Sequence, residues 1–147
     1  MATVNNLLLQ KGKDVWSVQV HSTVRETLML MAEKNIGAVL VMDDQKIVGI
    51  FSERDYARHA SRRDSMLLDE HVHEFMTNAV YYVSPYETVE EVMALMTSKK
   101  IRHLPVMENE RLVGLISIGD VVKQIMDDKE TTILGLENYI LGRDYSG

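Results

Sequence analysis

Shifted by 65 positions, Val15–Asp55 falls on Val80–Asp120 without a gap, and fifteen of the 41 aligned positions are identical. The identities include Val18/Val83, Thr23/Thr88, Val24/Val89, Leu30/Leu95, Met31/Met96, Val41/Val106, Gly49/Gly114, Ser52/Ser117 and Asp55/Asp120, and apolar positions between them mostly stay apolar. Such a window is an internal duplication, so the chain is expected to be two like units packed together. With 147 residues, 46% of them apolar, it has the material to bury a proper core.

The best-kept stretches are Gly49-Ile50-Phe51-Ser52-Glu53-Arg54-Asp55 and Gly114-Leu115-Ile116-Ser117-Ile118-Gly119-Asp120. Each starts as an apolar strand and ends in Ser-x-x-Asp. From spacing alone that ending reads as a helix cap, the hydroxyl meeting one orphan N–H and the carboxylate another. It also leaves a carboxylate and several N–H groups at a helix start, where a ligand with hydroxyls and phosphates can sit.

The rest of each copy predicts β-α-β-β-α. Val15–Val20 alternates as a short strand, and Thr23-Val24-Arg25-Glu26 has the spacing of a capping box opening a helix. Ala38–Met42 and Ile47–Phe51 form a hairpin around Asp43-Asp44-Gln45, and a helix runs from Glu53 to about Ala60. The second copy expects a strand at Val80–Val83, a helix at Val89–Lys100, a hairpin of Leu104–Met107 and Leu112–Ile116, and a helix from Ile118 to about Met126. Val4–Gln10 suggests a turn of helix, Glu70–Thr77 a short helix leading into the second copy, and Thr131–Gly142 a terminal helix with Ile133, Leu136 and Ile140 on one face.

A net charge of −6 argues against a nucleic-acid partner, which needs surplus Lys and Arg. No cysteine is present, which fits a reducing cytosol. No run approaches the ~18 apolar residues of a membrane span, and the first ten residues do not read as a signal peptide, so a cytoplasmic protein without a membrane partner is expected. His71 and His73 have no third ligand at convincing spacing, so no metal is expected. Neither a Walker-type Gly-x-x-x-x-Gly-Lys, nor Gly-x-Gly-x-x-Gly, nor a nucleophile-base constellation occurs, so no catalytic residue or enzyme activity is expected.

Val83-Ser84-Pro85 with Thr88-Val89, Ile101-Arg102-His103-Leu104-Pro105-Val106, and the two Gly-to-Asp stretches resemble the cystathionine-β-synthase (CBS) domain family, whose domains occur in tandem as Bateman modules. The order and spacing of these motifs, twice over, make the chain similar to stand-alone bacterial CBS pairs. The resemblance implies a mixed α+β fold: two β-α-β-β-α units related by a pseudo-twofold, at residues 4–62 and 72–127, with 128–147 as a C-terminal helix and tail. It also implies a non-catalytic regulatory module that signals by conformational change and works as a homodimer on an unidentified protein target. The ligands it implies, in clefts between the units, are AMP, ADP or ATP, and in some members NAD(H) or S-adenosylmethionine.

Carried over by position, the resemblance puts Ser117 and Asp120 at the nucleotide in one cleft, with Ile118 inside the motif, and Ser52 and Asp55 in the other. An ionised Asp can accept both hydroxyls of a ribose cis-diol. Arg102 and His103 match phosphate positions, and Arg54 lies within a ribose motif, although Arg54 is also placed to pair with Glu53 or Asp55. Val80, Tyr82 and Pro105 are the adenine candidates in the second unit, and Trp16 in the first. Gly37-Ala38 replaces Arg102-His103 in the first copy and Gly119 replaces Arg54 in the second, so the two sites are expected to differ. The alternative reading is a dimeric interaction module with empty clefts.

Overall fold

Two short leader segments, each lying before one repeat in the chain, complete the core of the other repeat in this computed structural model. The structure describes residues 2–63, 66–78 and 81–141, with side chains described to residue 129. The elements are α1 (Val4–Lys11), β1 (Ser17–Gln19), α2 (Val24–Lys34), β2 (Ala38–Asp43), β3 (Lys46–Ser52), α3 (Glu53–Ala60), a 3-10 turn (Val72–Glu74), β4 (Thr77–Asn78), α4 (Val89–Lys99), β5 (His103–Glu108), β6 (Arg111–Ser117) and α5 (Ile118–Leu141).

One compact unit is Asp14–Tyr82. Its sheet runs β1-β2-β3-β4, with β1 parallel to β2 across the α2 crossover and the other pairs antiparallel. Ala38, Val39, Leu40 and Val41 are all buried, as a strand covered on both faces requires. Thr23 caps α2 by accepting the Glu26 N–H at 3.1 Å, and Asn35 closes the helix in the left-handed region at φ 55°. Val24, Met31, Val39, Val41 and Phe51 form the core with Leu67, Val72 and Phe75.

The other unit joins residues up to Lys13 with those from Val83 onward. It repeats the pattern: Thr88 accepts the Glu91 N–H at 3.1 Å, Lys100 takes φ 55° after α4, and β5 pairs antiparallel with β6. The register of both hairpins shifts at the same repeat position, Val41/Met42 and Val106/Met107. Asn109 and Glu110 both have positive φ, the geometry of a two-residue turn matched to strand twist.

In this unit the Val89 N–H donates to Ala2 O at 3.0 Å and the Val4 N–H to Glu87 O at 2.9 Å. In the first, the Val24 N–H donates to Glu70 O at 2.9 Å and the Val72 N–H to Ser22 O at 2.8 Å. Val4, Leu7 and Leu8 thus stand where Val72, Phe75 and Met76 stand, and the duplication reaches into the leaders with a shift of 68 rather than 65 positions.

Each compact unit takes in the leader that precedes the other repeat in sequence. The expected helix over Glu70–Thr77 is a 3-10 turn followed by β4. Of the expected strand Val80–Val83, Val80 lies outside the described residues, and Val83 makes a single parallel bridge to Val106. The two expected C-terminal helices are one, since α5 continues through Gly135 to Leu141; the apolar face Ile133, Leu136 and Ile140 lies outside the described side chains.

Candidate functional site

Each hairpin delivers its last residue, a serine, to the start of a helix. In the first unit the Ser52 N–H and hydroxyl donate to Asp55 Oδ2 at 2.9 and 3.0 Å, and the Asp55 N–H donates to Ser52 Oγ at 3.1 Å. The Thr77 hydroxyl donates to Asp55 Oδ1 at 3.1 Å. In the second, the Ser117 N–H donates to Asp120 Oδ2 at 2.8 Å and the Asp120 N–H to Ser117 Oγ at 3.1 Å. Both motifs are therefore reciprocal caps, with a carboxylate at a helix N-terminus.

The neighbouring strand supplies the next layer. His103 pairs with Ser117 in the β5–β6 register, and the Ile118 N–H donates to Arg102 O at 2.8 Å. Arg102 and His103 are thus tied beside Ser117. In the first unit Ala38 pairs with Ser52, and the Glu53 N–H donates to Gly37 O at 3.0 Å. The frameworks match while the side chains differ: a guanidinium and an imidazole in one, a hydrogen and a methyl in the other.

The remaining expected residues are placed as follows. Ile118 opens α5 and packs against the second unit's core. Pro105 is buried in β5, where its carbonyl accepts the Val83 N–H at 3.0 Å. Tyr82 is 68% exposed and falls with Asp14–Tyr82 rather than with Pro105; Val80 lies outside the described residues. Arg54 is exposed on the first turn of α3, and among the described residues it forms no ion pair with Glu53 or Asp55. Trp16 has the Lys34 ammonium 4.3 Å from its ring centroid, so a cation covers a ring expected to receive adenine.

Sequence reasoning missed Lys11 and Thr77. Lys11 Nζ lies 2.7 Å from Asp120 Oδ2 and donates to Leu115 O, also at 2.7 Å. Nothing in a lysine before Gly12 signals a partner 109 residues away. Burial raises the Asp120 pKa, but the hydrogen bonds from Lys11 and the Ser117 N–H and the attraction of the ammonium outweigh it, so the carboxyl sits below its ordinary value of 3.8. A depressed folded-state pKa contributes stability that is present above the unfolded value and lost as pH falls through the folded one. The melting temperature of wild type relative to Asp120→Asn is therefore expected to fall as pH drops below about 3.8. A gap between the two that stays constant through the acid range would contradict the ion pair.

His71 gains a third imidazole: the rings of His21, His71 and His73 lie 5.7–6.4 Å apart. Even so, no group of three His, Cys, Asp or Glu side chains among the described residues is arranged to hold a metal ion. No helix among them is long and apolar enough to cross a membrane.

Two units of strand, helix, hairpin and helix, each closing its hairpin in a Ser–Asp cap, define a tandem-repeat α+β protein. The chain belongs to the CBS domain family, whose model matches residues 12–62 and 72–127. The mitochondrial CBS domain-containing protein CBSX3 of Arabidopsis thaliana is 31% identical, over 95% of this chain and 72% of its own. A CBS-domain containing protein from Agrobacterium tumefaciens is 39% identical with a TM-score of 0.79, covering 84% of this chain and 98% of its own. A CBS domain protein from Pyrobaculum aerophilum, solved in complex with AMP, is 25% identical with a TM-score of 0.69, covering 80% of this chain and 88% of its own. As a CBS pair, the chain is a regulatory module.

Proposed function

We propose that this protein binds an adenine nucleotide at its Ser–Asp motifs, does no chemistry on it, and signals its presence to a protein target by a shift between conformations. The ligand class is AMP, ADP, ATP or NAD(H), and the working form is a homodimer. The observation that carries the reading is Asp120: a carboxylate held ionised at a helix start, with Arg102 and His103 tied to the same framework. A carboxylate suits a ribose diol, the cations suit a phosphate, and the N-terminus of α5 favours the anion. The AMP complex of the Pyrobaculum aerophilum relative supports the ligand class. Val122 and Met126, exposed one turn apart on α5, support self-association.

Calorimetric titration with AMP, ADP, ATP, NAD, NADH and S-adenosylmethionine tests this. Asp120→Ala or Asp55→Ala is expected to weaken a bound ligand at least tenfold, because each removes charge-assisted hydrogen bonds worth about 1.5–3 kcal/mol apiece. Each also removes a cap worth about 1 kcal/mol, so folding is checked by melting. If nothing binds wild type that denaturing extraction has cleared of carried-over ligand, the nucleotide reading fails and the interaction module with empty clefts takes its place.

A further inference from the structure

The two carboxylates differ in what already occupies them. Asp120 Oδ2 takes the Ser117 N–H at 2.8 Å and the Lys11 ammonium at 2.7 Å. A carboxylate oxygen has about two acceptor positions, so these two donors fill Oδ2. A vicinal diol needs an acceptor on each oxygen to be chelated, and Oδ2 is held by a cation. At Asp55 the donors besides the Ser52 N–H are neutral hydroxyls, Ser52 on Oδ2 and Thr77 on Oδ1, and each can rotate away without separating charges.

Lys11 is also poised to transmit its own displacement. It is the last residue of α1, is followed by Gly12 at φ 98°, and ties α1 to β6 through Leu115 O. Its side chain is 38% exposed, so water can receive the ammonium at modest cost. The chain passes from one compact unit to the other between Lys13 and Asp14, two residues further on.

We propose that Lys11 is an internal competitor for a vicinal diol at Asp120, so that a riboside engaging this carboxylate displaces the ammonium and frees the end of α1 beside the crossover. The inference rests on the nucleotide reading above and deepens it. Lys11 lowers affinity at this motif while making occupancy there change the hold on the N-terminal helix. Asp55, with no such cation, binds without that change.

The test is an amide NMR titration of the full chain with adenosine and with 2′,3′-dideoxyadenosine, two neutral ligands that differ in the diol. Lys11→Met is expected to tighten adenosine about fivefold at the Ser117 and Asp120 amides, the scale of a half-exposed ion pair. It should leave dideoxyadenosine and the Ser52 and Asp55 amides unmoved. Lys11→Gln should act in the same direction and guards against a misfolded methionine variant. In wild type, adenosine should shift the Lys11 and Gly12 amides where dideoxyadenosine does not. Adenosine affinity that is unchanged or weaker in both variants, or an equal gain for both nucleosides, overturns the proposal while leaving the nucleotide reading intact. If neither nucleoside moves any amide in wild type or variants and the calorimetric series is also blank, the nucleotide reading falls, and this proposal with it.

Discussion

Replacing Leu8 by alanine is expected to destabilise the unit built on β5 and β6 by about 2–5 kcal/mol, the range for emptying a well-packed leucine site. Leu8 is 1% exposed and sits in a core with Val83, Val92, Leu104 and Ile116, none of which belongs to the repeat that follows it in sequence. A cavity there removes apolar contact that nothing nearby can replace. Hydrogen exchange of the Leu8→Ala protein locates the damage. Amides of β5 and β6 should lose more protection than those of β2 and β3, although α1 precedes β1 in the chain. Equal loss in both hairpins, or a cost under about 1 kcal/mol, would contradict the exchange of leaders between repeats.

The second large effect concerns the glycines that let those leaders approach. A Cβ on Gly114 would lie 2.5 Å from Leu8 Cδ2, and the other close atoms are also of the Leu8 side chain. A Cβ on Gly49 would meet the Met76 side chain and also the Thr77 carbonyl oxygen at 2.9 Å. Each Gly→Ala change is expected to cost about 1–3 kcal/mol through overpacking. The rescues should differ. In a Leu8→Ala background the Gly114→Ala penalty is expected to vanish or reverse, because the clashing side chain is gone. In a Met76→Ala background much of the Gly49→Ala penalty should persist, because backbone of β4 remains in the way. Denaturant melts of the two double-mutant cycles decide it, and equal coupling energies would show that the Thr77 carbonyl is free to move.

Much of the fold was legible because the signals were local. The Ser-x-x-Asp spacing placed the starts of α3 and α5, the Thr23 and Thr88 caps placed those of α2 and α4, and the apolar runs placed both hairpins. Only half of the expected box forms at each threonine, where the hydroxyl caps the helix; the reciprocal pairing appears at Thr3/Asn6, at Ser52/Asp55 and at Ser117/Asp120. The juxtaposition of Arg102 and His103 with Ser117 was also within reach, since a hairpin register follows from its turn.

What the sequence determined by itself was the number of units, their element order, the two Ser–Asp caps and the inequality of their neighbours, because each depends on residues close in the chain or on a comparison of the chain with itself. Tertiary structure alone decided that α1 completes the distant repeat, that Glu70–Thr77 becomes a turn and a short strand on β3, and that Lys11 reaches Asp120 while Thr77 reaches Asp55. Those outcomes depend on which apolar face is left uncovered once each unit has formed, a free energy of burial summed over residues far apart in sequence, and no local spacing records it.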